Sequence, residues 1–175
     1  MSSEETDSRV QALLRRLDAA WEESRWHSLR GSLEGLTEDE ATWVPPDYQP
    51  PEPWGFSGCI LDILLHVAAD AFIYPDQAVG QDSPTTAMVE AQFHDRGGNL
   101  QAALGLLDAG HAHLRDVLAS LNDADLARRV EAAGIYQGAS VETLFIELIE
   151  HDVYHAGQIN YIRSLYEGGS SDRSW

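Results

Sequence analysis

The sequence contains no lysine and a single cysteine. One cysteine, Cys59, excludes an internal disulfide and a cysteine-built zinc site. Without lysine the chain has no Schiff-base or P-loop chemistry. Cationic charge is scarce altogether. The 29 acidic residues stand against 11 basic ones, all arginine, for a formal charge of −18. Binding to a phosphate backbone needs cationic side chains that displace counterions, and anionic lipid attracts polybasic segments. Neither nucleic acid nor membrane is therefore expected as a partner; a small molecule or a metal cation suits the charge better. No apolar run approaches the ~20 residues of a membrane span. The opening MSSEETDSRV is acidic and polar, unlike a secretory signal, so a cytoplasmic location is expected. Strand-type alternation is weak throughout.

What is present is a hydrophobic fraction of 43% with five tryptophans over 175 residues. That is enough for one globular domain with its own core. The domain is expected to span residues 1–175, with its core over 8–166 and a frayed tail over 167–175. Val10, Leu13, Leu14, Leu17, Trp21 and Leu29 recur near the helical period and predict one helix from Ser8 to Leu33. Thr37 and Glu40 form a capping-box pattern for a short helical turn. A second long helix is predicted from Ser57, as N-cap, to Val79, with Pro75 kinking or ending it. A third runs from Asn99 to Leu121. A fourth runs from Ser140 to Tyr166 and stops at Gly168-Gly169. Residues 80–98 read as a long crossover. The proline-rich stretch WVPPDYQPPEPWGF reads as a semi-rigid loop whose aromatics either line a pocket mouth or pack over one end of the helices. The predicted fold is all-α, a four-helix bundle with a long crossover connection.

His151 and His155 carry the sharpest signal. Residues four apart share a helix face, and two imidazoles so placed can hold one transition-metal ion. The inward stripe is drawn as Leu144, Leu148, His151, His155, Ile159 and Ile162. Two unpaired rings in an apolar stripe are costly to bury. Either a metal ion or hydrogen bonds to Asp or Tyr must satisfy them. His66, within CILDILLHVAADAFIY, is the candidate third ligand, with a hydrogen-bonded core histidine as its alternative. Three imidazoles would leave coordination positions open, as in catalytic zinc sites. Nickel, iron or manganese would suit the same donors.

Asp70, one turn after His66, and Glu147, one turn before His151, are candidates for orienting a ligand, for general-base work or for a fourth ligand. A solvated helix face is the alternative for both. Glu150 and Asp152 should point away from the histidine face. Gly157 lets a neighbour approach the turn that carries Gln158. Tyr154 and Tyr161 are expected to pack in the core, with a pocket or a dimer interface as the alternative. His111 and His113, two apart, should not chelate one ion together; His27 and His94 should lie on the surface.

HDVYHAGQINYIR resembles the last-helix signature of the DinB/YfiT-like metalloproteins, where HxxxH is closely followed by GQ. LEGLTEDEATWVPP, the aromatic-rich loop and LLHVAAD extend the resemblance over residues 8 to 166. GFSGCIL departs from the Trp-Ser start usual for the family's second helix. The resemblance implies a four-helix bundle with a divalent metal on His66, His151 and His155, and a homodimer. It also implies activities such as S-transfer from low-molecular-weight thiols. A hydrolase that activates water at the metal, or a non-catalytic stress-response binding protein, are the competing expectations.

Overall fold

The computed structural model describes residues 8–49 and 58–169. Among them are seven α-helices and no β-strand. They are α1 (Arg9–Glu22), α2 (Leu29–Ser32), α3 (Glu38–Thr42), α4 (Ile60–Val79), α5 (Thr86–Asp95), α6 (Leu100–Ala119) and α7 (Val141–Gly169), with a 3-10 turn at Asp125–Ala127. The all-α expectation holds. The four longest helices pack in a closed ring of contacts, α4 on α6 and α7, and α1 on α6 and α7.

The sequence motifs that start helices do so here. Ser8, Thr37, Thr85 and Asn99 each accept from the backbone N–H three residues on, which satisfies a donor the helix itself leaves free. Ser140 does the same for Thr143 at the start of α7.

Five expectations need correction. The single helix over Ser8–Leu33 is broken between α1 and α2. The Ser28 hydroxyl donates to the Ser24 carbonyl and accepts from its N–H, and the Ser24 hydroxyl accepts from Trp26 N. Serine side chains thus take over backbone groups that a continuous helix would pair. The crossover at 80–98 contains α5, held by buried Val89 and Phe93 one turn apart. Pro75 neither ends nor visibly interrupts α4. Its ring is buried in the core, and the helix runs on to Gly80, whose left-handed φ of 72° closes it. The N-cap of α4 is Cys59; the expected Ser57 lies outside the described residues. At the other end, α7 continues through Gly169, past the predicted stop at Gly168-Gly169, and the remaining tail lies outside the described residues. Of the aromatic loop, Trp43 packs edge-on against Tyr166, and the Tyr48 ring lies over Gly58; Trp54 and Phe56 fall outside the described residues.

The apolar core divides in two. One cluster joins the first half of α4, from Ile60 to Ala69, to Ile159 and Ile162 of α7 and to α5 and α6. The other joins α1, Ala71 and Ala78 of α4, and Val141 to Ile149 of α7. On α4 the changeover runs from Asp70 to Tyr74, with Phe72 and Ile73 still packed on the first cluster and Ala71 and Tyr74 on the second; on α7 it falls across residues 150–158. The helices approach closely at Gly110 of α6, where a Cβ would stand 3.1 Å from the Ala68 carbonyl oxygen. No helix among the described residues is long and apolar enough to cross a membrane.

Candidate metal centre

The changeover between the two apolar clusters is polar. His66 and Asp70 project from α4, His151 and His155 from α7, each pair one helical turn apart. His66 Nε2 lies 3.0 Å from His151 Nε2, and His155 Nε2 lies 2.9 Å from His151 Nε2. Ligand atoms of all three histidines fall within 4.8 Å of one another. Nitrogens each about 2.1 Å from one ion stand ~3.0 Å apart when their bonds meet near a right angle. His155 is only 5% exposed, whereas the side chains of His66 and His151 keep 30% and 25% of their surface. The cluster therefore opens to solvent on the His66 and His151 side.

Proton counting supports a cation at this point. His155 Nδ1 donates to Gln158 Oε1 at 2.6 Å, so the neutral ring carries a bare lone pair on Nε2. His151 Nε2 faces two other Nε2 atoms, and one N–H can serve only one of them. At least one of the two contacts is left without a hydrogen bond of its own. A divalent ion accepts from all three nitrogens and removes the conflict, so the residues fit a metal.

The imidazoles are held neutral. Burial, then the neighbouring His155 and His66, pull the His151 pKa down to about 3. Burial and His66 bring His155 down to about 4 against the opposing hydrogen bond from Gln158, and burial lowers His66. Neutral imidazole is the form that ligates.

The Asp70 carboxylate stands 3.5 Å from His66 Nε2 and 3.6 Å from His151 Nε2, on the metal-facing side of both rings. Burial raises it to about 7. Asp152 is a correction: it points inward, 5% exposed, with burial and then Asp70 raising it to about 7. Asp70 also raises Tyr74, after burial, and the Tyr74 ring meets Tyr136 edge-on at 4.9 Å. Tyr136 is pushed up mainly by burial, with Glu147 adding charge and a hydrogen bond. Glu147 is thus an exposed residue partnered with Tyr136 and does not join the histidine cluster. Glu150 is exposed, 4.0 Å from Arg16.

Tyr154 and Tyr161 are exposed on α7 rather than packed in the core. The helix turns both outward, and Tyr154 instead packs its ring edge-on against His155 at 5.0 Å. His111 stacks on Trp21 and His113 bonds to Asp76, so these two serve separate partners. His27 and His94 are exposed. A groove of about 460 Å³ between α1 and α7 is lined by Arg16, Glu23, His27, Glu150 and Val153, and none of the three clustered histidines reaches it.

The sequence profile of the DinB superfamily matches residues 20–159, which include all three clustered histidines. Comparisons with curated proteins and with solved structures each gave no match.

Proposed function

This chain belongs to the DinB superfamily, and on that premise we propose that His66, His151 and His155 bind one divalent transition-metal ion in the active site of a small-molecule enzyme. The carrying observation is the convergence of three Nε2 atoms with too few protons to satisfy one another. On the family resemblance alone, the proposed reaction class is S-transfer from a low-molecular-weight thiol. A divalent ion supplies the charge that keeps a thiol sulfur deprotonated near neutral pH.

The chain's own groups account for the rest. Asp70 faces the open side of the three nitrogens and receives the thiol proton. The two apolar clusters flank the site on either side. The charge of −18 disfavours polyanionic partners. A second copy of the chain is proposed as its protein partner on the family resemblance alone.

Elemental analysis of the purified protein, followed by thiol-transfer assays over a panel of thiols and acceptors, tests the proposal. The expected result is stoichiometric metal, lost in His151→Ala, and thiol-dependent turnover. Full metal content in His151→Ala overturns the ligand set. Ester or amide hydrolysis with no need of thiol overturns the reaction class and leaves the ligand set standing.

A further inference from the structure

The three histidines are not held alike. His66 and His151 share Asp70 on their Nε2 side. His155 is held from behind, through Nδ1, by Gln158 at 2.6 Å. The Gln158 amide is itself fixed at its other end, where Nε2 donates to the Tyr154 hydroxyl oxygen at 2.8 Å. Tyr154 closes the arrangement by packing its ring against His155. The three residues sit on one turn of α7, at i, i+1 and i+4, so the chain of bonds is built from a single helix.

From this geometry we infer that Gln158 is the positioning residue that selects the His155 tautomer, with Tyr154 anchoring the outer end of the amide. An imidazole ligates through one nitrogen only if that nitrogen is bare, and the group on the other nitrogen decides which one it is. An amide has a donor end and an acceptor end. With Oε1 turned to His155, Nδ1 keeps the proton and Nε2 is free for the ion. With the amide reversed, its NH₂ would face Nδ1, the proton would move to Nε2, and the ring could no longer ligate through that atom. Tyr154 anchors the amide at its outer end, its hydroxyl oxygen accepting from the amide nitrogen in this orientation. The donors along His155, Gln158 and Tyr154 all run away from the cluster. Positive charge at Nε2 would strengthen each bond in turn. A glutamine at this place also keeps the assembly neutral, where a carboxylate would add charge beside a buried ring.

This inference rests on the metal-binding reading, and its test is arranged to separate the two. The first readout needs no metal: long-range ¹H–¹⁵N spectra of histidine-labelled, metal-stripped protein at pH 7.5. His155 is expected as the Nδ1–H tautomer in the wild type and in Gln158→Glu, which keeps an acceptor on Nδ1. In Gln158→Leu a population with Nε2–H is expected. The second readout is zinc affinity by competition with a chromophoric chelator. Gln158→Leu is expected to lose about 10- to 100-fold, the range typical of partners to a ligating histidine. Gln158→Glu should hold wild-type affinity, and Tyr154→Phe should fall between. An Nε2–H tautomer in the wild type overturns the inference, as does unchanged zinc affinity in a folded Gln158→Leu. If Gln158→Leu fails to fold, the wild-type tautomer and the Tyr154→Phe affinity decide. A wild type that takes no zinc sinks the metal-binding reading, while the tautomer spectra still decide the role of Gln158.

Discussion

Replacing Arg163 with methionine should cost the metal-free protein about 3–5 kcal/mol, the range for stripping one partner from a buried ion pair. Arg163 lies on α7 and is tied to two short helices far back in the chain. Its Nε donates to Glu40 Oε1 at 2.9 Å, and its Nη1 donates to the Ser32 and Glu34 carbonyls at 2.6 and 3.0 Å. The two side chains keep only 11% and 7% of their surface, so solvent screening is weak. Methionine fills much of the volume but leaves the Glu40 carboxylate buried without its partner and two carbonyls without a donor. Domains are stable by roughly 5–15 kcal/mol in total, so the loss is a large share. The assay is urea unfolding with chelator present, so that metal linkage does not enter. With a urea slope of about 2 kcal/mol/M, the midpoint should fall by about 2 M. The double variant Glu40→Met/Arg163→Met should recover part of this, because the stranded charge is gone while the two carbonyls still lack their donor. A single-variant midpoint within ~0.3 M of wild type would refute the reasoning, since it would mean that water or a rearranged neighbour reaches Glu40.

Three further outcomes follow from the site and its packing. Zinc at 100 times its dissociation constant should stabilise the folded protein by about 2.7 kcal/mol, seen as a higher melting temperature in wild type and no shift in His151→Ala. The pH dependence of stability should steepen in Asp70→Asn. The lowered imidazoles contribute stability that is lost as pH falls below about 6.5. Asp70, raised to about 7, contributes stability at low pH that is lost as pH rises from about 4 to 7. Removing Asp70 deletes the opposing slope, so urea midpoints between pH 4.5 and 6.5 should climb faster than in wild type; a shallower climb contradicts the assignment. Gly110→Leu should destabilise by about 1–3 kcal/mol through overpacking, because a Cβ there already meets Ala68 and Ala71 at 3.1 Å; an unchanged thermal midpoint would show that α4 and α6 can part at no cost.

Much of the helical layout was legible because it depends on local chemistry. Asn99 announces α6, Thr37 announces α3, and the line from Leu144 to Ile162 marks the buried face of α7, with its two histidines in the middle. The misses have a common physical source. A helix buries a face more than 100° wide, so a single line of residues four apart leaves out its flank. Phe145, Ile149, Asp152 and Ala156 form that flank, which is why Asp152 seemed to point away. The break after α1 lies in serine hydroxyls whose bonds depend on a particular backbone turn. Arg163 and Glu40 are 123 residues apart, and no local pattern links them. The link between Gln158 and His155 was within reach, since a glutamine three residues after a histidine shares its side of the helix. Its direction, amide oxygen inward, required the position of Tyr154.

The polar changeover between the two apolar clusters has a consequence for how the protein comes apart. Each cluster has its own share of α4 and α7, and the histidines and carboxyls lie between the shares. With no ion on the histidines, the α4 side chains that span the boundary are the partly buried Phe72 and Ile73, and the two halves are expected to open as separate units in native-state amide exchange. A bound ion joins His66 on one helix to His151 and His155 on the other, across that boundary. Amides in the α1 half and the α5 half would then exchange with one common opening free energy instead of two. Metal loading would thereby set the cooperativity of the fold as well as its chemistry.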